Sequence, residues 1–503
     1  AEFGIDVKLP GMVYASIEQC PVIGGTVKSF DAAKAKTMPG VIDVVQITDG
    51  VAIVADSWWH AKKAREGLTV VWDEGAGAAL TDQNMLAGIR AGAADDLLIP
   101  LKAVGDAEAV IKASPKVVRA EYVMPLLSHS PLEPMNFTAH YHDGKVDLIG
   151  PTQWQDAGQT VVAKVLGVKP EDVTLRTTFL GGGFGRRIDI DYIIQAAQIS
   201  KAVNKPVKLL WTREDDMTHD YYRPQSVHTL AAALGADGKP TAMTFKMVSQ
   251  SVTGRVFGLP KEAQDPLMTE AALAAYEIPA TRHDIVKHDT GLRVGYWRSV
   301  SHALNAFANE SFIDECAAAA GQDPYAYRMS LLGNKPRFAN VLKQAADKAG
   351  WGTPAAAGRF RGIALMEGYD TYMAQVAEIS MKDGVPVVHR VTVVADLGLM
   401  VNPDTVEAQI QSSIAFGLTA ALYGEITLDQ GRVQQTNFHQ YLVLRMNEAP
   451  VIDITLVPST EKPGGIGEPA TALIGPAVAN AMFAATGKRL RQMPFSAERI
   501  KAA

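Results

Sequence analysis

Cysteine is almost missing from this chain: Cys20 and Cys316 are the only two in 503 residues. They lie far apart and no CxxC occurs, so a disulfide framework, a zinc knuckle and an iron–sulfur cluster are excluded within the chain. Each cysteine reads as a small buried apolar residue. No apolar run reaches the length needed to span a bilayer, so no transmembrane segment is expected. An excess of positive charge is also lacking. Lys and Arg number 48 against 54 Asp and Glu, a net charge of −6, and without a basic footprint nucleic acid is not an expected partner. The opening "AEFGIDVKLPGM" has no initiator Met and neither the basic nor the apolar region of a signal peptide. It reads as the start of a mature product or of a piece of something longer. Fixed-period repeats and low-complexity tracts are absent.

What is present is a 47% hydrophobic sequence able to bury large cores in two to four domains. Residues 1–80 read as a compact α/β unit, with "VIDVVQI" and "VAIVA" joined by the hairpin signal Thr48-Asp49-Gly50. A helix follows, with an N-cap at Asp56 or Ser57. Residues 81–116 read as a linker carrying one or two helices. From 117 to 335 strands and helices alternate, and from 336 to 503 a strand precedes a long helix at "VNPDTVEAQIQSSIAFGLTAAL". The fold class is mixed α/β, multi-domain.

Two glycine-rich turns stand out. "FLGGGFGRRIDIDY", Phe179 to Tyr192, joins the β-branched run "VTLRT" to a segment with helical apolar spacing. Such a turn bares backbone N–H groups at a helix N-terminus, which favours an anion. The dinucleotide fingerprint fails there because position 186 is Arg, and no P-loop, GxSxG or HExxH pattern occurs. Taken alone, the stretch reads as a tight turn with solvated arginines. The second turn, "GGIGEP", places Glu468 before Pro469 and an Ala-rich helix starting near Thr471. On its own this is an ordinary helix start. His140 and His142 alternate in "FTAHYHDG" and read as one face of a hairpin rather than a metal site.

Several blocks in order tie these pieces together: "HSPLEPMNFTAH", "PTQWQ", "GGGFGRR", "WTREDDM", "WRSVSHALNAFANESFIDECA", "DLGLMVNPDTVEAQI" and "GIGEPA". Over most of its length the chain resembles the molybdenum-binding large subunit of the xanthine dehydrogenase/aldehyde oxidase family. Within that family it is most similar to the branch typified by the β subunit of isoquinoline 1-oxidoreductase. The resemblance implies an N-terminal α/β hammerhead domain (1–80) followed by two molybdopterin-binding α/β domains, 117–335 and 336–503. It also implies a molybdenum–pyranopterin cofactor, as the cytosine dinucleotide in bacterial members, held through its dithiolene with no direct protein ligand to the metal. The implied cofactor contacts are Gly182, Gly183, Phe184, Gly185, Arg186, Gln409, Gln411, Gly465, Gly467 and Thr471. Glu468 stands at the position of the general base, Gln153 at that of the oxo-binding glutamine, and Arg298 at that of an arginine stabilising charge on substrate. Trp154 and Trp297 fall where they would shape the substrate pocket. The implied activity is oxidation of an aldehyde, or hydroxylation of an N-heteroaromatic carbon, with water-derived oxygen.

Two departures qualify the resemblance. No GQG block occurs between "MSLLGNK" and "VAEISM", so a further polypeptide or an N-terminal portion is expected to complete the cofactor cradle. "EAQIQSSIAFGL" also replaces a glycine-rich helix start, leaving Gln409 and Gln411 either as cofactor contacts or as a polar helix face. With no iron–sulfur cluster of its own, the chain is expected to pass electrons to a small 2Fe–2S subunit, and a cytochrome c could follow. The acidic run "WTREDD" reads as a solvated face or a partner surface. The branch resemblance points to the periplasm or the periplasmic side of a membrane, with the cytoplasm as the alternative; an export signal would lie upstream of Ala1. The competing reading is a non-catalytic assembly or cofactor-carrying subunit, while a nucleotide-dependent enzyme would require ATP or NAD binding.

Overall fold

A computed structural model describes residues 1–503, the side chain of Asp95 excepted. Three large sheets carry the chain, with two two-stranded ones beside them. The largest has seven strands in the order Val173–Thr177, Lys145–Gly150, Asn136–His142, Val207–Leu210, Val13–Gln19, Gly50–Ala55, Val41–Ile47. Val13–Gln19 runs parallel to Val207–Leu210 and antiparallel to Gly50–Ala55, so strands from the first 80 residues and from the 117–335 region form one sheet. Gly50–Ala55 is buried along its whole length. Side chains alternate across a strand, so Ala52 and Val54 enter one core while Val51, Ile53 and Ala55 enter another. The first core is closed by the helices Gln155–Leu166 and Asp191–Val203. The Thr48-Asp49 turn closes the hairpin at the pair Ile47 and Gly50, as the sequence predicts, and Ser57 is the cap of the following helix Trp58–Ala64.

The five-stranded sheet corrects the reading of 81–116 as a linker. Its order is Leu98–Val104, Ala280–Lys287, Pro240–Ser249, Ser226–Leu234, Val117–Met124. Leu98–Val104, from the middle of the supposed linker, is an edge strand antiparallel to Ala280–Lys287. The helices Asp82–Asp95 and Ala107–Ala113 pack beside it on the same sheet. The Gly and Ala residues of this stretch fall mostly in the two helices, and the strand itself carries Pro100 and Lys102, which suit an edge.

The third sheet, Phe360–Gly368, Thr371–Lys382, Val385–Asp396 and Val451–Leu456, shares the largest core with the five-stranded one. Between them run the helices His302–Ala320 and Pro469–Thr486. Every residue from Pro469 to Met482 is buried, as befits a helix apolar all round. The helix Pro403–Leu422 packs along it. In "WTREDD" the structure again departs from expectation. Thr212 caps the helix Arg213–Thr218 in a capping box with Asp215, and Asp215 and Asp216 are buried in ion pairs with Arg65 and Arg213. The run is neither a solvated face nor a free surface. None of the described helices is long and apolar enough to cross a membrane.

Candidate active site

A cavity of about 560 Å³ opens where the three sheets meet, lined by residues from both glycine turns, from the segment around Arg298, from the helix Pro403–Leu422 and from the hairpin tip at Tyr369. In the first turn, Gly182 and Gly185 have φ of +98° and +107° and Phe184 has φ of +56°. A Cβ at Gly185 would stand 1.6 Å from the carbonyl oxygen of Tyr296, so only glycine fits. The hydrogen bonding of the turn is one-sided. The carbonyls of Gly181, Gly182, Gly183, Phe184 and Gly185 all accept from within the chain, from Glu133 N, Arg187 Nε, Arg186 N, Arg298 N and Ile188 N. Among the described residues, the amides of Gly182, Gly183 and Phe184 find no acceptor. Consecutive unpaired amides in alternating right- and left-handed backbone make an anion-binding concavity.

Gln153 faces this turn. Its Oε1 accepts from the amides of Gly185 (3.2 Å) and Arg187 (3.3 Å). This fixes the side-chain orientation and leaves Nε2 as a donor without a partner among the described residues. Phe184 stacks on Phe416 at 4.4 Å, and Phe416 on Trp297 at 4.6 Å. This three-ring wall separates the cavity from a second, apolar one of about 430 Å³ that Gly182 helps to line.

Glu468 is the N-cap of the helix Pro469–Thr486, yet its carboxylate makes no capping bond to that helix. Instead Oε1 accepts from the amide of Ser299 at 3.0 Å, and the residue lines the cavity. The residue begins the helix, but its carboxylate plays no part in capping it. The donor is itself strained: Ser299 and Val300 have φ of +79° and +40°, conformations that cost of order 1–3 kcal/mol each for non-glycine residues and gather at functional sites.

Several predicted site residues sit elsewhere. Arg186 does not face the cavity. It is fully buried, paired with Asp191 and Asp220 and packed among the rings of Tyr192, Trp211 and Tyr221. Arg187 is equally buried on Glu133. The "RR" pair is thus internal scaffolding, since a guanidinium can be buried when carboxylates and carbonyls take its donors. Arg298 lines the cavity but its donors reach Gly467 O (2.7 Å), Ser412 Oγ (2.8 Å) and Gln409 Oε1 (3.0 Å). Burial lowers its pKa, with Glu468 opposing the shift. It therefore locks the second glycine turn to the helix Pro403–Leu422 rather than offering a free fork. Gln409 and Gly467 line the cavity; Gln411 is exposed on the helix and is not among the lining residues. Gly465 donates to Tyr369 O, and Thr471 is buried one turn into its helix, with Oγ1 unpartnered. Trp297 is part of the wall, whereas Trp154 leans on Phe257 at 5.9 Å away from the cavity.

Sequence reasoning missed Tyr369, Glu270 and His302. Tyr369 and Asp370, with φ of +56° and +63°, form the two-residue turn between Phe360–Gly368 and Thr371–Lys382. Both left-handed positions mark a type I′ turn, which ordinarily takes Asn or Gly, so Tyr-Asp carries no turn signal there. Burial, then Glu468 and Glu270, push the Tyr369 pKa up, so its hydroxyl stays protonated. His140 and His142 lie on one strand face with rings 4.5 Å apart, and with Asp147 their ligand atoms fall within 4.8 Å of one another.

The fit to a phosphate-bearing pterin rests on three features of one cavity: the unpaired amides of Gly183 and Phe184, the free Nε2 of Gln153 and the carboxylate of Glu468. Gly182, whose amide is also unpaired, lines the second cavity instead. Comparison with known proteins agrees. Residues 94–331 and 317–450 each match a molybdopterin cofactor-binding domain. Relatives include the membrane-bound aldehyde dehydrogenase [pyrroloquinoline-quinone] of Gluconacetobacter polyoxogenes, 32% identical over 98% of this chain and 69% of the relative. The β subunit of isoquinoline 1-oxidoreductase from Brevundimonas diminuta is 30% identical, over 98% and 65%. A nicotinate dehydrogenase subunit from Pseudomonas putida is 28% identical, over 99% and 45%. The chain thus spans from under half to about two thirds of the length of these relatives. Among solved structures, quinoline 2-oxidoreductase of Pseudomonas putida 86 superposes with a TM-score of 0.86 at 14% identity, covering 99% of this chain and 95% of that one. The aldehyde oxidoreductase of Desulfovibrio gigas gives 0.81 at 17%, covering 100% and 78%; both show the fold. The chain belongs to the molybdopterin-binding large-subunit family that includes the isoquinoline 1-oxidoreductase β subunit.

Proposed function

We propose that this chain is the large, substrate-oxidising subunit of a molybdenum hydroxylase, or a large part of one, acting on an aldehyde or an N-heteroaromatic carbon. The observation that carries the reading is Glu468: a carboxylate at a helix start, held by Ser299 across the cavity instead of capping its own helix. When bound, the molybdenum–pyranopterin supplies the two-electron acceptor and the site at which water-derived oxygen reaches the substrate. The chain's residues do the rest. Gln153 Nε2 and the amides of Gly183 and Phe184 would hold and orient that group through its anionic oxygens. Phe184, Phe416 and Trp297 wall off water. Glu468 takes up a proton as oxygen bonds to carbon, its Oε1 held by the Ser299 amide. In balance, substrate C–H and water yield C–OH, two protons and two electrons.

The cytosine dinucleotide form of the cofactor, a 2Fe–2S partner subunit, a cytochrome c and a polypeptide completing the cradle belong to this proposal. So does a location in the periplasm or on the periplasmic side of a membrane. The names of the relatives, subunits of an isoquinoline oxidoreductase and a nicotinate dehydrogenase, support the multi-subunit reading. The quinone in the name of a third relative is not carried over, because both matched domains are molybdopterin-binding.

Replacing Glu468 with Gln in the complete complex tests the reading. The expected outcome is unchanged molybdenum and pterin content with kcat lowered on the order of 10²- to 10⁴-fold, the usual worth of a positioned general base. Near-normal turnover would remove the catalytic assignment and favour a cofactor-carrying subunit.

A further inference from the structure

The cavity holds a second carboxylate that the hydroxylation chemistry does not use. Glu270 lines it from the segment preceding Ala280–Lys287, with its side chain only 17% exposed. Oε2 is 3.1 Å from Nδ1 of His302 at the start of the helix His302–Ala320. The His302 ring packs at a tilt against Tyr369, centroids 4.5 Å apart, and a Cβ at Gly368 would meet it at 2.8 Å. Glu270, His302 and Tyr369 therefore come from three separate elements and brace one another beside Glu468.

Their free atoms point to a ligand. Glu270 Oε1 has no partner among the described residues. The Tyr369 hydroxyl is buried without a partner in good hydrogen-bond geometry, although burial, then the Glu468 carboxylate, which lies near enough to accept a bond from it, and Glu270 raise its pKa. A buried hydroxyl without a well-aligned partner costs free energy that a ligand acceptor would recover, and Glu270 Oε1, partly exposed, is open to the cavity. The remaining charge of the cavity is as telling. Among the described residues Arg298 is its only cationic lining residue, and Ser412, Gln409 and Gly467 engage its guanidinium. Two carboxylates lining a cavity whose one guanidinium is already engaged by the chain disfavour an anionic substrate and favour a proton donor.

We propose that Glu270, positioned by His302 and flanked by Tyr369, is the specificity residue of this site. It selects a nitrogen heteroaromatic bearing a ring N–H or a protonated ring nitrogen, over an aldehyde and over a carboxylated analogue. Glu270 Oε1 accepts from that nitrogen, and the Tyr369 hydroxyl donates to an acceptor on the same molecule. The proposal rests on the hydroxylase reading above.

The test compares kcat/KM for a bicyclic N-heteroaromatic and for an aromatic aldehyde of similar size, in the metal-loaded complete enzyme and its Glu270→Leu variant. The expected result is a roughly tenfold or greater fall in the heteroaromatic-to-aldehyde ratio, carried mainly by KM, since a site built around a polar contact discriminates strongly once that contact is lost. An unchanged ratio with normal aldehyde turnover overturns the role of Glu270 and leaves the hydroxylase reading intact. Turnover of neither class by the metal-loaded wild type overturns both. A measurement on the wild type alone covers a variant that does not fold: a heteroaromatic lactam should inhibit roughly tenfold more tightly than its N-methyl derivative. Equal inhibition constants would reject the proposal.

Discussion

Asp220, a residue that faces no cavity, fixes one corner of the site. Its carboxylate accepts from Ser128 Oγ and the His129 amide at 2.7 Å, from His129 Nδ1 at 2.9 Å, and pairs with Arg186 at 3.1 Å. His129 in turn reaches the Tyr296 carbonyl at 2.6 Å, the oxygen against which Gly185 is packed. Burial alone would raise the Asp220 pKa, but His129 and then Arg186 outweigh it and hold it well below the ordinary carboxylate range. A depressed carboxylate stabilises the fold above its unfolded pKa, roughly 3.9, and that stabilisation is lost as pH falls through the folded value. Asp220→Asn should lower stability by about 3 kcal/mol at neutral pH, because His129 and the Nε of Arg186 lose their carboxylate while Asp191 still holds the two terminal nitrogens of Arg186. Thermal unfolding of the two proteins should show a gap that narrows below about pH 4, where wild-type Asp220 begins to lose its advantage. A gap constant down to acid would mean that the carboxylate's charge contributes nothing. At this scale the close-packed glycines were legible, because backbone close approach leaves a residue signature, whereas Glu468 was marked by the family resemblance alone, since Glu-Pro by itself reads as an ordinary helix start. The roles of Arg186 and Arg298 were not, because only the three-dimensional neighbours decide whether an arginine faces a ligand or another part of the chain.

The helix Pro469–Thr486 carries Glu468 into place, and two glycines set its position. A Cβ at Gly362 would stand 2.1 Å from Ala481 N and 2.3 Å from Ala477 O; one at Gly417 would stand 2.6 Å from Thr471 O. The strand Phe360–Gly368 and the helix Pro403–Leu422 thus touch this helix backbone to backbone. Gly362→Ala should push strand and helix apart, costing about 1–3 kcal/mol, with a lower melting temperature and reduced kcat as Glu468 shifts. Gly487→Ala, at a helix end with φ of +71° and open space around the missing Cβ, should affect stability through backbone strain but leave this packing intact. Equal kcat in the Gly362 variant would show that the base tolerates movement of its helix. This helix was readable from its long apolar run, and the strand–helix pair before it from a change of period. The hairpin tip at Tyr369 was not, since Tyr-Asp contradicts the usual turn chemistry; nor was Glu270, an isolated acid in "LMTEAALAAY".

Across the whole molecule, the sheets join regions that composition separates. Val13–Gln19 sits between Val207–Leu210 and Gly50–Ala55, with Ala15 and Ile17 fully buried in the core that the helices Gln155–Leu166 and Asp191–Val203 close. Of these three strands Gly50–Ala55 was legible in the sequence, but neither Val13–Gln19 nor its partner Val207–Leu210 was, because pairing across some 190 residues leaves no local trace. This interleaving makes a definite prediction about dissection. A fragment of residues 1–80 would have no neighbour for Val13–Gln19 on its Val207 side. Residues 81–503 would expose Val207 and Leu209 along an unprotected edge, a hazard for aggregation. Expressed separately, the two pieces should be respectively unfolded by circular dichroism and insoluble or dye-binding; mixed during refolding, they should recover a soluble complex. Two independently cooperative unfolding transitions from the separate pieces would instead make the first 80 residues a domain in their own right, held to the larger sheet by an interface rather than by a shared fold.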